Sequence, residues 1–240
     1  MNQILVSEKL YVTPELKRKK RLFRIEFFLS VFLVCILSSY YIYAEYDRNK
    51  NEQMSREVLA GVQIDNTIKQ EEKDDKTLII VLGEEEANEA DNMINDNTEI
   101  TTNTYTAPDG TKYSTEAVVS IPSIDIEYPV LTETSDELLE ISVNKYWGPN
   151  PNEVGNYCIV GHNYRNGKMF GRLSELKNGD VVTLKDFSGR TIKYQVYNRY
   201  VVKPTDTRCT SQLTNGRREL TLITCTNYGT ERLVVKCREV

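Results

Sequence analysis

Residues Thr221–Arg232 read TLITCTNYGTER, and the fold follows from this stretch. Leu220 to Cys225 reads as a strand ending in a thiol, and Thr226 to Glu231 carries the turn formers Asn227 and Gly229. Arg232 to Arg238 then resumes an apolar alternation through Leu233 and Val235. The reading is a β-hairpin. Residues directly opposite in an antiparallel pair project from one face, so a loop closing symmetrically over Thr226–Glu231 sets Cys225 across from Arg232.

Upstream, the chain's single histidine ends another apolar run, Tyr157-Cys158-Ile159-Val160-Gly161-His162, where the glycine relaxes the backbone as strand gives way to loop. If a thiol works with an imidazole here, His162 is its only possible partner. A thiol attacks efficiently only as thiolate, and a nearby imidazole can take its proton. With reference pKa values of about 8.5 and 6.5, roughly 1% of molecules would hold thiolate and imidazolium together. Cys158, His162, Cys209 and Cys225 are zinc-ligand types but lack the short C-x-x-C spacing of structural zinc sites.

Other strands are expected at Glu116–Ile121, Ile126–Val130, Asp180–Lys185 and Thr191–Val202, broken by turn-rich pieces such as Gly148-Pro149-Asn150 and Lys177-Asn178-Gly179. Asp136–Val143 reads as one short helix. Many short strands with little helix point to a mainly β domain, a closed barrel or sandwich, over residues 111–240. About 130 residues can bury a core without disulfides. Of the five cysteines, Cys35 lies in an apolar N-terminal run and Cys158 reads as a small core residue. A bridge between Cys209 and Cys237 is conceivable, although spacing alone does not pair cysteines.

The formal net charge of −5 is unevenly spread. Residues 1–44 hold seven basic against three acidic side chains, residues 45–110 six against seventeen, and residues 111–240 seventeen against fifteen. The basic segment 1–24 ends in KRKKRLFR (17–24), and Phe27–Ala44 then runs eighteen positions without a charge. As helix that is about 27 Å, close to a bilayer's hydrocarbon thickness. Tyr40, Tyr41, Tyr43 and Tyr46 stand where a cleaved signal would need small residues, and they suit an interfacial aromatic belt. Residues 25–44 are therefore read as an uncleaved anchor, with the basic end cytoplasmic and the rest outside. The acidic segment 45–110 is read as an extracellular spacer, helical at first over Gln53–Ile68. Thr77–Leu82, TLIIVL, is a short β-prone exception within it.

TLITC, an arginine seven positions on at Arg232, and VGH at 160–162 together resemble the sortase family, cysteine transpeptidases of Gram-positive cell surfaces. VVSIPSIDIEYPVL and GNYCIVGHNYRNGKMFGRLSELKNGD agree with that family, so the likeness runs over Thr115–Val240. It implies a closed sortase-type β-barrel of about seven or eight strands with short helices, preceded by one transmembrane helix. It also implies that Cys225 attacks the threonine carbonyl of a sorting motif, LPxTG- or NPxTN-like, giving a thioacyl enzyme. His162 would serve as acid and base and Arg232 would steady the oxyanion or the substrate backbone. Asn163, Thr224 and Tyr228 would contact substrate. The implied partners are sorting-signal peptides of exported proteins, a peptidoglycan-precursor or pilin amine as acceptor, and the membrane, with no cofactor, metal or nucleic acid. GHNYRNGKMFGRL and TCTNY look like class B members, whereas IPSIDIEYPVL and a Lys203–Glu219 segment too short for a long helix look like class A or D. A membrane-anchored binding protein on the same barrel, without turnover, is the competing reading. Rapid, pH-dependent labelling of Cys225 would separate the two.

Overall fold

The computed structural model describes residues 14–74 and 102–240. Its elements are α1 Pro14–Asp74, β1 Asn103–Thr106, β2 Lys112–Ile121, β3 Ile126–Leu131, α2 Asp136–Ile141, β4 Val143–Trp147, β5 Gly155–Val160, β6 Val181–Asp186, β7 Thr191–Val202, β8 Arg218–Thr226 and β9 Glu231–Glu239. The strands run β2-β3-β4-β5-β8-β9-β7-β6 around the sheet, and pairing of β2 with β6 brings the last back to the first. That ring is a closed eight-stranded barrel, which leaves no free edge among its members. β1 lies outside the ring, antiparallel to the first residues of β2.

Side-chain alternation explains which face each strand buries. Tyr157 and Ile159 of β5, Leu220 and Leu222 of β8, and Val235 and Cys237 of β9 point into one core with Phe170 and Leu184. The intervening residues face outward, and several are also covered. Cys209, Ile223 and Val234 form a separate apolar cluster on the outer side. Cys209 and Cys237 thus lie on opposite faces of the sheet, and all five cysteines are free. The conceivable bridge between them does not exist.

The segment between β7 and β8 contains only a short 3-10 turn, Arg208–Thr210. Asn156, fully buried on β5, pins it: Nδ2 donates to Cys209 O at 2.9 Å and Ser211 O at 3.1 Å, while Oδ1 accepts from the Thr221 hydroxyl at 2.6 Å. Lys236 Nζ adds bonds to Thr221 Oγ1 at 2.9 Å and Cys209 O at 3.3 Å. Saturating these buried groups is what makes their burial tolerable.

Two elements depart from the expected strands. β1 has the polar sequence NTYT and becomes a strand only by pairing with β2. β4 starts at Val143, where the expected helix was still running, because Val143 leaves α2 to enter the core beside Val130. α2 is capped by Ser135, whose Oγ accepts the Leu138 N–H at 3.1 Å.

The described chain divides into two compact units, the first ending at Asn49 and the second Lys50–Val240. In the first, the charge-free run of α1 presents Phe27, Phe28, Phe32, Leu37 and Tyr41 outward, and the helix is long and apolar enough to be a candidate membrane span. In the second, α1 buries Ser55, Val58 and Val62, one helical stripe, against the barrel. Val58 packs with Ala107, Tyr113 and Leu131, and Met54, Tyr105, Leu138 and Ile141 close the cluster. Each fully buried valine contributes about 1.5–3 kcal/mol of transfer free energy. Gly61 lets the Tyr105 ring approach, since a Cβ there would lie 2.8 Å from Cδ2. The start of the expected spacer is therefore helix docked on the barrel, and its end supplies β1. Thr77–Leu82 lies outside the described residues.

Candidate active site

β8 and β9 pair in a register that sets Cys225 opposite Arg232. Thr226 pairs with Glu231 as well, so the connection is shorter than the six-residue loop read from sequence, and symmetric shortening preserves the register. Asn227, Tyr228 and Gly229 take positive φ values of 47°, 57° and 87°. Asn and Gly accept that conformation readily, while Tyr228 pays about 1–2 kcal/mol for it. The Thr230 N–H closes the turn on Asn227 O at 3.2 Å.

β5 runs parallel to β8, with Val160 beside Ile223. Just past it, the Gly161 N–H donates to Ile223 O at 3.2 Å, and the Thr224 hydroxyl donates to Gly161 O at 2.7 Å. These bonds bring His162 to the end of β8 that carries Cys225. The glycine of the pair is a packing requirement: a Cβ at Gly161 would sit 2.8 Å from Val143 Cγ1 and 3.0 Å from Phe170 Cδ2. Beyond His162 the chain folds back, with the Phe170 N–H on His162 O at 3.0 Å and Asn163 bridging Met169. The His162 and Tyr164 rings lie 5.1 Å apart between centroids.

His162, Cys225 and Arg232 line one groove of about 360 Å³ on the outer face of the barrel. Val160, Ile223 and Val202 give it an apolar floor, Asp136 and Leu139 one wall, and Pro204 and Thr207 the other. A larger open depression of about 890 Å³, along Tyr200–Cys209, includes none of the three. Arg232 is half-buried, and its Nη1 donates to Gly229 O at 2.9 Å and Glu231 O at 3.0 Å, which fixes the guanidinium plane beside the turn. Burial lowers the His162 pKa, and the carboxylates of Glu140 and Asp136 partly oppose it. Burial also pushes Cys158 and Cys237 up to about 12 and raises Cys209, which keeps those thiols protonated. Cys225 is the partly exposed thiol of the barrel. Among the described residues no group of three or more His, Cys, Asp or Glu could hold a metal ion.

The structure thus brings Cys225, His162 and Arg232 together in one groove. Asn163, Thr224 and Tyr228 are not in the groove lining. Asn163 donates Nδ2 to Cys225 O at 2.7 Å, so it braces the end of the cysteine strand. Thr224 is 1% exposed and committed to Gly161 O. Tyr228 stands 97% exposed at the hairpin tip. The groove walls escaped the sequence reading, whereas the floor residue Val160 lies on the outward row that the alternation of β5 gives.

A family model described as the sortase domain matches residues 119–240. Sortase A of Bacillus anthracis is 31% identical over 125 residues, which cover 49% of this chain and 56% of that relative, so the match spans just over half of the relative's length. Among solved structures, Sortase A from Corynebacterium diphtheriae is similar at 30% identity and a TM-score of 0.49, covering 53% of this chain and 61% of the other. Sortase C-1 from Actinomyces oris is similar at 32% identity and a TM-score of 0.48, covering 52% and 71%. With the family model matched over half its length, the chain belongs to the sortase family.

Proposed function

We propose that this chain is a working cysteine transpeptidase that cleaves a sorting motif, LPxTG- or NPxTN-like, near the C-terminus of exported proteins and joins the product to an amine. The observation that supports it best is the register of Cys225 against Arg232, with His162 in the same apolar-floored groove. Cys225 Sγ, as thiolate, adds to the threonine carbonyl, and the charge passes to the carbonyl oxygen. Arg232 offers fixed cationic donors to that oxyanion. As the oxyanion collapses, the C–N bond breaks and imidazolium His162 gives its proton to the departing amine, leaving a thioester on Cys225. An incoming primary amine, of a peptidoglycan precursor or a pilin lysine, then loses a proton to His162 and displaces the thiolate.

The candidate span of α1, with KRKKRLFR on its N-terminal side, supports a single-pass protein whose barrel faces outward. The test is to incubate the full-length protein in detergent with a panel of quenched sorting peptides, with and without an amine acceptor, and to look by mass spectrometry for an acyl adduct on Cys225. Absence of both cleavage and adduct across the panel would reject the enzymatic reading in favour of a binding protein.

A further inference from the structure

Tyr128 of β3 is 7% exposed, and its hydroxyl stands between the N-terminal helix and the loop that carries His162. Oη donates to Glu52 Oε2 of α1 at 2.9 Å and accepts the Met169 N–H at 3.0 Å. Met169 is the residue that bridges Asn163, and the next N–H, of Phe170, binds His162 O. Asn163 in turn holds Cys225 O at 2.7 Å. Met169 is 1% exposed with φ +49°, a left-handed conformation that a non-glycine residue keeps only where its surroundings impose it.

We propose that Glu52 and Tyr128 are positioning residues through which the docked part of α1 holds the His162 loop in its working geometry. The idea rests on the reading of His162 as acid and base given above. A tyrosine that donates to a carboxylate becomes a better acceptor for its other partner, so the Glu52 contact strengthens the hold on Met169. Without Glu52, the part-buried Tyr128 hydroxyl loses its charged acceptor, which costs more than a missing surface contact. The hydroxyl proton then turns toward other acceptors, and Oη holds the Met169 N–H less firmly. Arg56, one turn along α1, keeps Glu52 in place with Nε on Oε1 at 3.3 Å. The docked start of the acidic segment is thus part of the support of the candidate site.

The test uses the full chain in detergent. Glu52→Leu should lower kcat for a cleaved peptide about tenfold, the scale of one lost charge-assisted bond, with KM unchanged. Glu52→Gln, which keeps an acceptor oxygen, should restore most of the rate. Tyr128→Phe, which changes no residue of α1, should reproduce the loss. Ser55→Ala removes a docking bond elsewhere on the helix, Ser55 Oγ to Ser142 Oγ at 3.3 Å, and should leave kcat unchanged. Amide hydrogen exchange at Met169 and Phe170 should quicken about tenfold in Glu52→Leu while β8 amides keep their protection. Wild-type kcat in Glu52→Leu, failure of Gln to rescue, or an equal fall in Ser55→Ala would overturn the proposal. If the wild type cleaves no peptide, the enzymatic reading fails by itself, and the exchange comparison alone decides whether Glu52 holds the loop.

Discussion

Gly161 and Phe170 approach so closely that a methyl group at position 161 would lie 3.0 Å from the Phe170 ring and 2.8 Å from Val143. Phe170 is also the residue whose N–H holds His162 O, so the two ends of the histidine loop meet at this contact. Gly161→Ala is expected to destabilise the domain by about 1–3 kcal/mol, as overpacking does, and to lower kcat by shifting His162. Thermal unfolding and peptide kinetics on the same preparation check both. An alanine variant with wild-type Tm and kcat would show that the neighbours yield freely.

Only one barrel thiol should be replaceable at the expense of activity. Cys225→Ala is expected to abolish cleavage and the acyl adduct, whereas Cys158→Ala, Cys209→Ala and Cys237→Ala should each turn over if folded. Because burial holds Cys158 and Cys237 near 12, maleimide should reach them orders of magnitude more slowly than Cys225. Peptide cleavage by Cys225→Ala at the normal rate would remove the nucleophile assignment.

Arg232→Lys keeps the charge and loses the planar fork. The lysine cannot both cap Gly229 O and Glu231 O and present a second donor in the same plane. The expected result is a fall in kcat on the order of 10² to 10³, the scale of a lost oxyanion donor. A raised KM with kcat preserved would assign Arg232 to substrate binding instead.

His162 should leave a mark on stability as well as on rate. Its pKa in the folded state lies below the ordinary value of about 6.5, so the unfolded chain takes up its proton first as pH falls. Stability linked to this group is fully present above that ordinary value and is lost as pH falls through the lower folded pKa. His162→Gln is expected to lose less Tm than the wild type between about pH 7.5 and 5. Parallel Tm curves for the two proteins would mean that burial of the imidazole has no such effect.

Topology can be read from the same thiol. A membrane-impermeant maleimide added to intact protoplasts is expected to label Cys225. Labelling that appears only after lysis would reverse the orientation drawn from the KRKKRLFR cluster.

The hairpin register was legible because its two sides carry clear alternation and its loop is symmetric, so even a misjudged loop length kept Cys225 and Arg232 together. Most barrel strands were legible for the same reason of period. β4 was hidden because Asn144 and Lys145 interrupt its apolar residues, and β1 because NTYT has no apolar row of its own. The docking face of α1 was obscured by its composition: Ser55 and Asn51 take places beside Val58 and Val62 that a hydrophobic period would fill, inside a segment dominated by acidic charge. Asn163 and Thr224 each bind backbone on the opposite strand end, at Cys225 O and Gly161 O. Nothing in the one-dimensional order shows that both side chains turn back to tie the histidine and cysteine strands to each other.

The parallel pairing of β5 with β8 has a kinetic consequence. Asn163 and Cys225, joined by a hydrogen bond, are 62 residues apart in the chain, and a parallel neighbour cannot form by a simple hairpin. β9 sits between β8 and β7, so the ring stays open until that last strand is in place. Long-range pairings of this kind come late and slowly in folding. A chain that has not yet added β9 can pair β5 with β8 but lacks Arg232 opposite Cys225, so the three groove residues come together only as the barrel closes.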